Sequence, residues 1–153
     1  MPILDLSDLP PARTPIVGLD LGEKTIGVAV SDTTRTIASP LETIRKTKFS
    51  DDATALFRLM GGRGAVGIVV GLPVNMDGTE GARCQSSRAF ARNLLRLRPE
   101  LSIAFWDERM SSMAVNRMLI DEADLSRARR AEVVDKAAAA WILQGALDRL
   151  RNR

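Results

Sequence analysis

Residues 16–32 read IVGLDLGEKTIGVAVSD. The apolar run around Leu19 and a second run from Ile26 to Val30 are strand-like, and the few residues between them include Gly22. That pattern predicts a β-hairpin. Asp20 sits where a core strand wants Val or Ile. A buried charge costs several kcal/mol unless it is paired. Asp20 therefore has a partner, faces a wet cleft or binds a cation.

Working outward, TIASPLETI at 36–44 predicts a third strand, interrupted by Pro40. DDATALFRLM at 51–60 reads as a helix with an Asp cap, ended by Gly61 and Gly62. AVGIVVG at 65–71 is short and fully apolar, as a buried parallel strand is. The loop LPVNMDGTEG leads to a helix over about 80–98, stopped before Pro99. LSIAFW is the next strand, SSMAVNRMLI a helix capped by serine, and about 129–150 a last long helix rich in Ala and Leu. The order β-β-β-α-β-α-β-α-α implies an α/β fold, a mixed sheet with helices packed on it.

The 153 residues, 45% of them hydrophobic, suit one domain over 15–150 with a real core. Residues 1–14, acidic and proline-rich, read as a flexible tail without the form of a signal peptide. No apolar run is long enough for a membrane span. The lone Cys84 excludes an internal disulfide and a multi-cysteine zinc site, and fits a reducing cytoplasm. The absence of histidine removes Ser-His-Asp and Cys-His triads and histidine zinc sites. Chemistry here must use carboxylates, Lys, Arg, hydroxyls, the thiol or an oxygen-held metal.

The net charge of +3 is unevenly spread. Residues 83–98 hold five Arg and no acid, with Arg88, Arg92 and Arg96 on one helix face; SRARR at 126–130 is a second cluster. Such a face is either simply solvated or a phosphate-binding surface.

Two further acids resemble Asp20 in being awkwardly placed. Glu108 follows the strand LSIAFW, and strand ends are where open α/β sheets place ligand-binding groups; alone, it is equally an acid favoured at a helix N-terminus. Asp135 shares a helix face with Ala138, Ala139 and Ile142, a packing stripe, although alone it suits a capping or edge role. Glu132, one turn earlier, reads as an exposed first-turn acid that is near enough to join it. Divalent cations would relieve the mutual repulsion of three such acids, and hard oxygen ligands suit Mg²⁺ or Mn²⁺. Two ions about 3.5–4 Å apart would serve phosphodiester cleavage.

In order, GLDLGEKTIGVAVSD, VVGLPVNMDGTEG, WDERMSS and VVDKAAAAWILQ resemble the YqgF family over residues 15–148. These are RNase H-like proteins described as Holliday-junction resolvases and as nucleases of pre-16S ribosomal RNA. The resemblance implies an RNase H-like fold: a five-stranded mixed sheet, its first three strands antiparallel, flanked by helices. It implies a catalytic, metal-holding set of Asp20, Glu108 and Asp135, with Mg²⁺ or in its place Mn²⁺, hydrolysing a phosphodiester with water. Lys24 in the hairpin turn, Asn75, Asp77 and Gly78 on the NMDG loop, Arg83 and Arg109 are the matching candidates for substrate binding. The helix after DER lacks the usual threonine, the run before Asp135 carries fewer positive charges than in many relatives, and the fourth acid of RNase H has no convincing counterpart.

The implied partner is nucleic acid, either pre-rRNA in ribosomal precursor particles or branched DNA. Ribosomal RNA processing is the expected role and junction cleavage the alternative. A resolvase cuts two strands symmetrically and works as a homodimer, whereas an RNA-end processor acts as a monomer. Two other classes share these features. The DLG hairpin also resembles the first phosphate motif of actin-like ATPases, which need two such domains. A non-catalytic nucleic-acid-binding module would use the same Arg clusters, but acids facing phosphates repel them unless metals intervene.

Overall fold

The computed structural model describes residues 14–75, 77–110 and 127–151, with the backbone alone at 110, 127–135 and 151. The tail expected at 1–14, apart from Thr14, and the helix expected at SSMAVNRMLI lie outside the described residues.

Five strands, β1 (Ile16–Leu21), β2 (Thr25–Ser31), β3 (Ala38–Arg45), β4 (Gly67–Leu72) and β5 (Ser102–Asp107), form one sheet in the order β3-β2-β1-β4-β5. The first three pair antiparallel, Asp20 opposite Gly27. β4 runs parallel to β1, Leu19 opposite Val70, and β5 runs parallel to β4, Gly71 opposite Trp106. The hairpin expected from residues 16–32 is present. Its tight closure comes from the Gly22 N–H donating to the Thr25 carbonyl at 2.9 Å. Pro40 does not break β3, because β3 is an edge strand and its register shifts by a bulge at this point.

Strand alternation divides the core in two. Val17, Leu19, Ile68, Val70 and Ile103 face α1 (Phe49–Arg63) and α2 (Ala82–Leu97), where Leu56, Met60 and Leu94 meet them. Ile16, Val69 and Ala104 face α3 (Arg127–Arg151), packing on Ala139, Ile142, Leu143 and Leu147. By the same alternation Asp20, Gly71 and Trp106 point to the α3 side, at the carboxyl ends of β1, β4 and β5. No helix among the described residues is long and apolar enough to cross a membrane.

Helix α1 departs from expectation at both ends. Its N-cap is Lys48, with no side-chain cap. Asp52 instead is buried and accepts the Thr47 N–H at 3.0 Å. The helix also runs through Gly61 and Gly62 to Arg63 and stops at Gly64, which is left-handed at φ 68. Two exposed helical glycines cost about 1 kcal/mol each, less than the buried Leu56 and Met60 contribute. Gly64→Ala should destabilise the protein by about 1 kcal/mol, since a Cβ disfavours the left-handed region. Urea denaturation measures it, with activity as the unaffected comparison.

Candidate active site

Asp20 is the last residue but one of β1, and Glu108 opens the short turn Glu108–Met110 immediately after β5. Strand β4 lies between β1 and β5, so Glu108 must reach across β4 to meet Asp20. Gly71 provides the passage. A Cβ built there would stand 3.0 Å from Glu108 Cγ, 3.1 Å from its Cδ and 2.6 Å from Ile142 Cδ1. The Glu108 carboxyl therefore lies in the space that any other residue on β4 would fill.

The Glu108 carboxyl hydrogen-bonds with that of Asp20. Burial pushes the Glu108 carboxyl up to about 7, helped by the Asp20 charge and by a hydrogen bond between the two side chains. Arg83 pulls the other way. Two acids this close cannot both ionise freely. A bound cation would relieve the pair while leaving both charged, and the donors available to it are hard carboxylate oxygens. Among the described residues no three acid, thiol or imidazole groups converge. Asp135 lies on α3, but its side chain, like that of Glu132, is outside the described residues.

The surrounding candidates fall into distinct places. Arg83 is exposed on α2, donates to the Leu21 carbonyl at 3.4 Å and lies close enough to act on Glu108. Lys24 is exposed in the hairpin turn, where its carbonyl accepts the Lys46 N–H. The NMDG loop closes on itself. Gly78, at φ 90, donates to the Asn75 carbonyl at 2.8 Å, and Asn75 Nδ2 donates to Thr79 Oγ1 at 3.0 Å. Asp77 Oδ1 accepts the Thr79 hydroxyl at 2.6 Å and its N–H at 2.9 Å, which lowers the Asp77 carboxyl below its ordinary range. Arg109 does not turn to Glu108. It forks onto Asp107 at 2.6–3.1 Å, bracing the turn that carries Glu108, and its Nη1 stands 3.8 Å from a Cβ placed on Gly78.

The basic stripe expected on α2 is not uniform. Arg88 forks onto Glu80 at 2.7 and 2.8 Å and lies 4.8 Å over the Phe105 ring, while Arg92 and Arg96 are exposed. Gly71 and Lys46 are site neighbours without a local sequence signal, and Asp107, an awkward acid at a strand end like Glu108, is the partner of Arg109.

The model of a family described as RuvX, Holliday junction resolvase, matches residues 14–149. The chain belongs to this family. It is the family that the motifs resemble under the name YqgF. A curated relative from Phenylobacterium zucineum is 77% identical over 99% of both chains, and one from Rhodospirillum rubrum 61% identical over 98% of this chain and 94% of its own length. Both carry the name "Putative pre-16S rRNA nuclease". Among solved structures, Thermus thermophilus RuvC in complex with a Holliday junction substrate matches at TM-score 0.56 and 12% identity, covering 90% of this chain and 96% of that one. The yeast mitochondrial resolvase Ydc2 matches at 0.51 and 14%, covering 96% and 86%. These likenesses bear out the RNase H-like fold with its five-stranded mixed sheet.

The Glu108 proton has a thermodynamic signature. In the metal-free folded chain Glu108 keeps its proton up to about 7, whereas unfolded it loses it near its ordinary 4.5. In that window the folded state binds more protons, so stability falls as pH rises from about 4.5 to 7 and then levels off. Thermal melts of wild type in EDTA should show this fall, and Glu108→Gln should remove it.

Proposed function

We propose that the chain is a divalent-metal-dependent nuclease that processes the 5′ end of pre-16S ribosomal RNA, with Asp20, Glu108 and Asp135 as its metal-holding acids. The observation that carries the reading is the Asp20–Glu108 pair: the Glu108 side chain lies over Gly71 and hydrogen-bonds with Asp20. Asp135 is supported by its helix. Ala139, one turn later, lies with its carbonyl 3.1 Å from a Cβ built on Gly18, two residues before Asp20, and Ile142 packs beside Gly71.

The reaction is hydrolysis: a water oxygen bonds to phosphorus, the bond to the leaving ribose oxygen breaks, and that oxygen takes a proton. A bound Mg²⁺, or in its place Mn²⁺, would supply charge neutralisation and a lowered pKa for water. Asp20 and Glu108 would hold it as two carboxylates, the Glu108 proton passing to solvent. Arg83 sits beside the acids to balance phosphate charge. Asp107 and Arg109 fix the turn that aims Glu108. The acid chemistry calls for no partner chain, and RNA-end processing needs only a monomer in the cytoplasm.

The second reading is a junction resolvase, favoured by the description of the matching family. It requires a homodimer that cuts two strands symmetrically. Two labelled substrates, a single-stranded RNA carrying the 16S 5′ leader and a four-way DNA junction, are incubated with Mg²⁺, Mn²⁺ or EDTA, with Asp20→Asn as control. Metal-dependent RNA cutting that the variant loses supports the processing role. Paired symmetric junction cuts support the resolvase. Binding without cleavage of either overturns both.

A further inference from the structure

Two adjoining cavities of about 130 and 310 Å³ lie against α2, the first facing the β1–β2 turn and the second the β3–α1 connection, and they share Lys46, Ser86 and Phe90 in their walls. The first begins at Leu21 and Gly22, the residues directly after Asp20, and includes Arg83, whose charge reaches Glu108. The trough thus starts at the chain segment that follows Asp20, on the α2 side of the sheet, with Arg83 in its wall as the link to Glu108.

Its chemistry is that of a strand track. Lys46 Nζ donates to the Gly22 carbonyl at 3.0 Å and Arg83 to the Leu21 carbonyl at 3.4 Å. Those carbonyls aim both cations along the trough, and an ammonium or guanidinium has further donors for a phosphate. Beyond them lie Phe90 and Phe49, edge to face at 5.3 Å. Of the acids in the walls, Asp52 is committed to the Thr47 N–H and Glu23 is exposed at the hairpin tip. Cations followed by aromatic rings are how proteins hold single strands, whose unstacked bases can lie against a ring. A duplex keeps its bases stacked inside and cannot use Phe90.

We infer that this trough binds a single-stranded segment of the substrate next to the scissile bond, with Lys46 and Arg83 on a phosphate and Phe90 against the neighbouring base. The inference rests on the nuclease reading of the acid pair.

The test is fluorescence anisotropy with a labelled single-stranded RNA and its blunt duplex, in Mg²⁺ and in the full-length Asp20→Asn background so that the strand is not consumed. The single strand should bind about ten-fold tighter than the duplex. Adding Lys46→Gln should weaken it several-fold and reduce the slope of log K against log salt by about 0.7. Phe90→Leu should weaken it about ten-fold without changing the slope. Ser86→Glu, exposed and outside the core, should weaken it while leaving the melting temperature unchanged. Arg92→Gln, on the far side of α2, should bind like the parent. Equal or tighter duplex binding, or trough variants that bind like the parent, would overturn the trough even if the wild-type chain cuts RNA. Binding through the trough by a wild-type chain that cuts nothing would leave the trough standing and overturn the nuclease reading.

Discussion

Asp20→Asn and Glu108→Gln are each expected to lower the cleavage rate by on the order of 10³-fold, the scale for losing one electrostatic stabiliser of a charged transition state. The reason is local. Each substitution removes one of the two paired carboxylates that would hold a hard divalent cation. Neither should damage the fold. Asp20 and Glu108 repel one another once both are charged, and burial with that repulsion is what lifts Glu108 to about 7. Removing either charge relieves the conflict, so the metal-free variants should melt at or above the wild-type temperature near neutral pH. Rates on the labelled RNA and thermal melts in EDTA check both halves. A variant that loses activity because it has unfolded would count against the account.

Gly71→Ala should produce the second largest effect, and by a different route. Its Cβ would meet Ile142 Cδ1 at 2.6 Å and the Glu108 side chain at 3.0 and 3.1 Å. The isoleucine tip can give by rotating within α3's packing. Glu108 can give only by withdrawing from Asp20. Overpacking of this kind costs about 1–3 kcal/mol, and a displacement near 1 Å at a catalytic group costs about 10²-fold in rate. The signature that separates this from simple destabilisation is the titration. Glu108 should return toward its ordinary carboxyl range as it leaves Asp20 and the buried site, flattening the pH dependence of the metal-free melt. Gly64→Ala, destabilised by its backbone alone, should keep that pH dependence and the wild-type rate.

Much of this architecture is legible in the chain because its signals are local. The hairpin follows from two apolar runs and a glycine. The parallel strands follow from apolar runs separated by helical periodicity. Asp20 stands out because a charge interrupts a core strand, and Glu108 because it follows one directly. Other features depend on contacts that the sequence does not display. Gly71 looks like the end of an apolar run, and its role arises only when β5 lands on the far side of β4 from β1. Arg88 belongs to a basic stripe by periodicity, yet Glu80 folds back from the preceding loop to bind it. Arg109 is next to Glu108 in sequence but pairs with Asp107. Helix α1 runs past the stop expected at Gly61 and Gly62 because local helix propensity is weaker than the packing of Leu56 and Met60.

The most direct measurement is calorimetric titration of Mn²⁺ into wild type and Asp20→Asn near pH 6, in two buffers of different ionisation enthalpy. Glu108 is protonated there in the metal-free chain. The account predicts that wild type binds the cation with release of about one proton, and that Asp20→Asn loses this binding while remaining folded. Binding of equal strength by the variant, or wild-type binding with no proton released, would contradict the assignment of the Asp20–Glu108 pair as the metal-holding centre.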